Sequence, residues 1–247
     1  MDHNVSGQNR RLRDFNESIL RLLERVEYRL ISGGEDLEDI YRLRYRSYLR
    51  AGMLTPNATQ MLHDRWDDLP NSYRFGVYYD GELVSTVRLH HLCREHPYAP
   101  SLDTYPAALA HRIHRESFVD ITRFAANTEK SPAPNALPFL TLRLAVVASC
   151  YFKQTAALVP VKLEHAAFYR RIFNVSQVGA PVIFPNLVVP IALFEAPAGE
   201  NLIKTMIRFP FFCSTAVEQR LMFGRPSSIE AAPLTVLPTA KYVSEAA

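Results

Sequence analysis

Tyr41-Arg42-Leu43-Arg44-Tyr45-Arg46-Ser47-Tyr48, continuing to Arg50, is the stretch from which the fold is best read. At ~100° per residue it phases as an amphipathic helix. Leu37, Ile40, Tyr41, Tyr48 and Ala51 form one stripe with Arg44 at its centre, while Arg42, Arg46 and Arg50 lie opposite. A guanidinium on the apolar side needs a partner, because burying it alone costs several kcal/mol. Arg44 is therefore expected to be buried and to meet a carboxylate, with Asp64, Asp67 and Asp68 as candidates, or a substrate anion. A purely structural ion pair is the other reading.

Before this helix, residues 26–31 read as a strand, and Ser32-Gly33-Gly34-Glu35-Asp36 turns it into a helix start with acids in the first turn. Residues 1–25 read as a helical extension: Arg10, Arg11 and Arg13 precede Phe15, Ile19, Leu22 and Leu23, a pattern too interrupted by charge for a signal peptide. After it comes a polar connection, 51–71, holding Asp64, Trp66, Asp67 and Asp68. Asp80-Gly81 between the β-rich runs 74–79 and 82–92 is a hairpin signal. A helix near 105–113 and a strand at 118–125 follow. Residues 137–152 form a helix apolar on nearly every side, hence central and buried, with Pro138 tolerated in its first turn. A strand at 157–163, a helix with His165, Phe168, Tyr169 and Ile172 on one face, and apolar strands at 177–184 and 187–194 complete the pattern. Residues 26–225 are expected to form one domain, and 226–247, rich in Ala, Pro, Ser and Thr, an extended tail.

The chain has 247 residues, 48% of them hydrophobic, and a formal net charge of +3, enough for a large core and too evenly spread for a nucleic-acid groove. Three cysteines without CxxC spacing indicate neither a disulfide framework nor a zinc site. The apolar run 181–194 is broken by Pro181, Pro185 and Pro190 and is too short to span a bilayer. A cytoplasmic location is expected, and peripheral membrane contact is left open.

The element order describes an α/β protein with a mixed, mostly antiparallel sheet flanked by helices, plus an N-terminal helix and a C-terminal extension. It resembles the GNAT N-acyltransferase fold, and Phe168-Tyr169-Arg170-Arg171-Ile172-Phe173 is similar to a stretch late in that superfamily. Coenzyme A enzymes of that superfamily cradle the pyrophosphate in a Gly-rich turn. Here no glycine lies between Gly81 and Gly179, and the corresponding stretch is Asn127-Thr128-Glu129-Lys130-Ser131-Pro132. A donor with a single phosphodiester, the acyl-phosphopantetheine of acyl-carrier protein, needs less of that cradle. No tightly bound cofactor and no metal are expected.

Arg44, Asp64-x-x-Asp67, Arg88 and Asp120-Ile121-Thr122-Arg123-Phe124 resemble, in order and spacing, the acyl-homoserine lactone (autoinducer) synthases. The long-chain N-acyl amino acid synthases are closer still, on the Tyr-Arg-Leu-Arg-Tyr-Arg run and Glu164-His165-Ala166-Ala167-Phe168-Tyr169. The chain departs from the autoinducer synthases in carrying Leu54 where they have Trp and Asp120 where they have Glu, and the absent Trp weighs against S-adenosylmethionine as acceptor. Both families imply transfer of a fatty acyl group from acyl-carrier protein to an amine, here the α-amine of an amino acid. The alternatives are an autoinducer synthase using S-adenosylmethionine and a non-catalytic carrier- or lipid-binding module.

The resemblance places Asp120, Arg123 and Tyr169 in a catalytic site. Asp120 would orient the amine or a relay water, and Tyr169 would give a proton to the departing thiolate unless it is simply core. Arg44, Asp64, Asp67, Arg88 and Phe124 would bind substrate or scaffold the site. His90 and His91 straddle a strand end, so that one is exposed, while His165 reads as a packing residue. Strand alternation separates Asp120 from Arg123, so their sharing a site requires a β-bulge between Phe118 and Arg123. Lys130, Arg143, Lys153, Arg170 and Arg171 are the expected contacts of an acidic carrier. Phe124, the helix around Leu140, Leu144 and Val147, and Val182, Ile183, Val188, Val189 and Ile191 would line an acyl tunnel splayed open at Asp120.

Overall fold

The computed structural model describes residues 2–224 and 234–244. Helix α1 (Asp2–Leu23) leads into β1 (Val26–Leu30) and then α2 (Gly34–Arg50), which Gly34 opens with a φ of 74° that favours glycine. Strands β2 (Ser72–Tyr79) and β3 (Glu82–Leu92) are joined by Asp80-Gly81, both at positive φ, 50° and 80°, the geometry of a two-residue hairpin. Two short helices, α3 (Pro100–Thr104) and α4 (Pro106–Leu109), precede β4 (Phe118–Ala126). Then follow α5 (Leu137–Phe152), β5 (Ala156–Val161), α6 (Ala166–Phe173), β6 (Ser176–Ile183) and β7 (Pro190–Pro197). Helices α7 (Glu200–Arg208) and α8 (Ala216–Phe223), strand β8 (Thr235–Val236) and α9 (Ala240–Ser244) complete the described chain.

The strands form one eight-stranded sheet in the order β6-β7-β5-β4-β3-β2-β1-β8. Neighbours are antiparallel except β4 and β5, which run parallel because α5 carries the chain between them. The mixed α/β, mostly antiparallel class expected from the element order is thus what the chain adopts. Beside the sheet, Leu137, Leu140, Leu144 and Val147 of α5 share a core with Ile19 and Leu23 of α1, Phe211, Phe212 and Phe223. The stretch Pro134–Phe152 is apolar and long enough to cross a membrane, yet here it is the mostly buried core helix.

Four expectations are corrected by this architecture. Arg143 is fully buried inside α5 and paired with Glu218 of α8, so it cannot meet a carrier. Residues 234–244 are no loose tail: Thr235 and Val236 pair with Arg29 and Tyr28, and Ala240 is buried; 226–233 and 245–247 lie outside the described residues. Edge strand β6 carries Val182 and Ile183 exposed, and Val188 beyond it is exposed too, so these side chains do not line an interior tunnel. The bulge falls one step later than required: β3 and β4 pair without interruption from Leu92↔Phe118 to Arg88↔Thr122, and the register slips before Thr86↔Ala125.

That slip and a second irregularity shape the centre of the sheet. β4 and β5 pair only through Phe118–Asp120 and Ala156–Leu158. Beyond these residues the two strands diverge, and Ile121–Phe124 faces Val159–Val161 across an open wedge.

Candidate active site

Asp64 and Asp67 sit in a turn that fixes its own shape, since Trp66 N donates to Asp64 Oδ1 (3.0 Å) and Asp64 N to Asp67 Oδ2 (3.1 Å). Arg74 Nη1 donates to Asp67 O at 2.7 Å, and His90 Nε2 lies 2.8 Å from Trp66 O, so β2 and β3 hold the turn against the sheet. Onto it converge guanidiniums from three elements. Arg44 Nη1 of α2 lies 2.7 Å from Asp67 Oδ1. Arg88 Nη1 of β3 bridges Asp64 Oδ1 and Asp67 Oδ2, the latter at 3.0 Å. Arg123 Nη2 of β4 lies 2.6 Å from Asp64 Oδ2.

The bulge explains how Arg123 reaches Asp64. Its φ is +55°, a left-handed backbone that costs a non-glycine residue roughly 1–2 kcal/mol. This turns its side chain to the side where Arg88 also meets Asp64, and a further bond to Pro185 O at 3.2 Å holds it there. The irregularity thus lies at Arg123 itself, past the expected stretch, and it brings Arg123 but not Asp120 to the cavity described below.

Burial alone would raise the Asp64 and Asp67 carboxyls, but Arg88 and Arg123 around the first, and Arg44 and Arg88 around the second, hold both below the usual range. Arg44 is lowered by burial and by its like-charged neighbours Arg88 and Arg123. Three guanidiniums on two carboxylates leave an excess of one positive charge, and Arg44 Nε and Nη2, like the neighbouring Tyr41 hydroxyl, have no hydrogen-bond partner.

Asp120 is placed differently from its expected role. It is fully buried on β4, accepts from Ser101 N (3.1 Å) and Ser101 Oγ (2.7 Å) in the first turn of α3, and is not part of the cavity wall described next. Burial pushes its carboxyl up to about 6, against the two Ser101 bonds. Its position assigns it the docking of α3 onto the sheet. Burial likewise drives His90 down to about 3, and His91, which was to be exposed in place of its neighbour, is half-buried and stacked on Phe152.

The wedge between β4 and β5 is a cavity of about 440 Å³. Its walls are Ile121, Phe124, Val159 and Val161 of the strands, Phe168 and Tyr169 of α6, Tyr48 of α2 and Ala51 just after it, and Phe184, Leu187 and Ile191. Arg123 and Thr122 supply polar groups on one side, Lys162, Glu164 and His165 on another. His165 is exposed there rather than packed, because it precedes α6 in a short 3₁₀ turn. Burial raises the Tyr169 phenol well above its ordinary value, and the nearby Tyr48 phenol adds to the shift, so Tyr169 keeps its proton. A small apolar chamber between α5, α7 and β5 shares Ile121, Val159 and Tyr169 with the cavity and continues inward to Leu142 and Val146.

Sequence reasoning missed the roof: Tyr48, Met53, Phe184 and Leu187, drawn together where Val188 N donates to Met53 O at 2.9 Å. Only Tyr48, on the Arg44 stripe, left a readable trace. Of the expected carrier contacts, Lys130 is exposed and paired with Glu82, Arg170 lies over the Phe194 ring, and Arg171 is exposed on α6. Lys153 follows the far end of α5, fifteen residues and so ~22 Å from Pro138 at the cavity.

Chemically, the cavity offers a held phenol proton, a guanidinium, an unpaired strand edge and an apolar recess. These are the requirements of an acyl transfer in which an amine attacks a carbonyl and a leaving group takes a proton.

The family profile of N-acyl amino acid synthase FeeM matches residues 39–197. Among solved structures, the chain is similar to FeeM, an N-acyl amino acid synthase from uncultured soil microbes (TM-score 0.60, 16% identity, covering 74% of this chain and 97% of that one). It is also similar to the acyl-homoserine lactone synthase LasI (TM-score 0.51, 18% identity, 74% and 93% covered). The CoA-dependent acyl-homoserine lactone synthase MesI stands alike (TM-score 0.51, 18% identity, 74% and 91% covered). No curated protein matches the chain.

Proposed function

The chain belongs to the FeeM family of N-acyl amino acid synthases, and from this premise we propose that it transfers a long-chain fatty acyl group from acyl-carrier protein to the α-amine of an amino acid. The observation that carries the reading is the wedge between β4 and β5, apolar along most of its wall and bounded by Arg123 on one side and the protonated Tyr169 on the other.

The acyl thioester enters the wedge, and its chain runs past Ile121 and Val159 toward the apolar chamber beside α5. Each buried methylene contributes ~0.8 kcal/mol, a gain an acetyl group could not collect. The acceptor's carboxylate pairs with Arg123, which the excess positive charge of the Asp64–Asp67 cluster keeps available. The neutral amine attacks the thioester carbonyl; as the C–S bond breaks, Tyr169 donates its proton to the departing thiolate, and the proton shed by the acylated nitrogen restores the phenol. Arg44, Asp64, Asp67 and Arg88 fix Arg123 in place. Phe124 forms part of the apolar wall, and Asp120 acts through the α3 loop as a positioning residue.

Support for the carrier protein comes from the turn after β4. Asn127 Oδ1 accepts from Glu129 N (3.3 Å) and Lys130 N (3.2 Å), which closes the turn on itself where a pyrophosphate cradle would need free backbone N–H groups. Lys130 and Arg170 are the proposed carrier contacts. Three free cysteines, Cys93, Cys150 and Cys213, fit a cytoplasmic enzyme.

Mass spectrometry of lipids from expressing cells, with purified enzyme given dodecanoyl-carrier protein or dodecanoyl-coenzyme A beside a panel of amino acids, tests the reading. N-acyl amino acids formed faster from the carrier are expected. Equal kcat/KM for both donors overturns the carrier assignment; methylthioadenosine released from S-adenosylmethionine overturns the acceptor; preference for acetyl donors overturns the long chain.

A further inference from the structure

A second concavity lies between α1, α5, α6 and the end of α7, with a volume of about 750 Å³. Its floor is apolar and recessed: Leu12 and Phe15 of α1, Phe139 of α5 and Phe168 of α6, all half-buried. Its rim carries Arg11, Arg171 and Arg208, all exposed, and no acidic residue lines it. Among the described residues none of these arginines has a carboxylate partner, whereas Arg13 pairs with Glu17 and Lys204 with Glu200. Phe168 forms wall for both this groove and the reaction cavity, so one ring separates them.

The groove is assembled from two sources. Phe139, Phe168 and Arg171 lie within the family-matched residues 39–197, whereas Arg11, Leu12, Phe15 and Arg208 lie outside them. The additions flanking the common core therefore create it. An apolar floor under an unbalanced cationic rim selects a ligand with a hydrocarbon chain and one anionic end. The volume falls within the range of pockets that enclose a small organic ligand. A flat bilayer would reach the arginines but not the recessed rings, and an acidic protein surface would neutralise the rim while leaving the floor wet.

We propose that this groove is a second binding site, for a single-chain anionic amphiphile, and that its occupant is the enzyme's own N-acyl amino acid, received across Phe168 from the reaction cavity. The class of ligand follows from the groove; its identification as product rests on the reaction proposed above.

The experiment is calorimetric titration of the full chain with N-dodecanoylglycine below its micellar range. Two equivalents are expected per chain. The Arg11→Glu/Arg208→Glu variant should keep one equivalent and bind the second at least tenfold more weakly, while turnover of a soluble dodecanoyl thioester is unchanged. Leu12→Trp, which fills the floor without altering charge, should also remove the second equivalent, and circular dichroism melts establish that both variants fold. A single equivalent in the unaltered chain, or a second that survives both variants, overturns the proposal. So does a charge-reversed variant whose only defect is a raised KM for acyl-carrier protein, or lost pelleting with phosphatidylglycerol vesicles. If no N-acyl amino acid is ever formed but two equivalents bind, the groove stands as a site for anionic amphiphiles and the reaction reading alone fails.

Discussion

Two sets of charges are buried in this molecule, and they are built differently. In α5, every nitrogen of the Arg143 guanidinium has a partner: Nε donates to Phe211 O (2.8 Å), Nη1 and Nη2 meet the two oxygens of Glu218, and Nη2 also reaches Cys213 O. Glu218 is in turn closed by Thr239 N at 2.9 Å. The second set, Arg44, Arg88 and Arg123 on Asp64 and Asp67, has more cations than anions, leaves Arg44 Nε and Nη2 unmatched, and touches a cavity through Arg123. A saturated one-to-one pair ties elements together; an unsaturated set beside a cavity keeps attraction in reserve for something that arrives.

The sharpest contrast is thermodynamic. Arg143→Ala strands a buried carboxylate and should lower stability by ~3–5 kcal/mol in urea denaturation, while Arg143→Met/Glu218→Leu should recover most of that loss and retain activity. The parallel double replacement Arg88→Met/Asp64→Leu takes the carboxylate from buried Arg123 as well, so it should recover little stability and abolish turnover. An active double variant there would erase the distinction.

Next in size is Tyr169→Phe, which removes the proton donor at the cavity end of the open set and should lower kcat by roughly 100-fold with little change in melting temperature. Because burial raises the phenol, no loss of rate on the alkaline side is expected before pH passes the ordinary tyrosine value of 10.0. A limb that appears below it would assign the proton to another group.

Arg123→Lys should reduce kcat/KM by roughly 10- to 100-fold, corresponding to ~1.5–3 kcal/mol for a hydrogen bond to a charged group, with most of the effect in KM for the amino acid. An effect confined to KM for the acyl donor would move Arg123 to the other substrate.

The smallest effect distinguishes the carboxylates by sign. Asp64 and Asp67 are depressed in the fold, so they stabilise it above the ordinary value of 3.8 and that contribution is lost as pH falls further. Asp120 is raised, so the folded state holds its proton longer and stability falls as pH rises from 3.8 to about 6. Asp120→Asn should flatten that interval in pH-dependent denaturation; an unchanged slope would give it to another group.

The Arg44 stripe, the Asp80-Gly81 hairpin and α5 were legible because each is local: phase, turn chemistry and all-round apolarity are written in neighbouring residues. The same locality contained the clue to Arg143 that a search for surface cations overlooked, since the lone charge of a helix with no solvent face must itself be buried. Ser101 beneath Asp120, and Met53 beside Val188, come together only through the tertiary path and leave no spacing to find. Two residues, Thr235 and Val236, are too few to carry an alternation, so their place in the sheet was invisible. The bulge was deduced from a conflict between alternation and resemblance. Its position at Arg123 depended on a backbone torsion that no side-chain pattern encodes.

That late strand has a consequence for how the chain comes into being. Thr235–Val236 is synthesised after every other strand, yet it covers β1, which is synthesised before any of them. Until it arrives, the backbone groups of Tyr28 and Arg29 on that side form an open edge, able to recruit a strand from a neighbouring nascent chain. Until that two-residue clasp is in place, the β1 edge of a chain still being translated is open to such pairing.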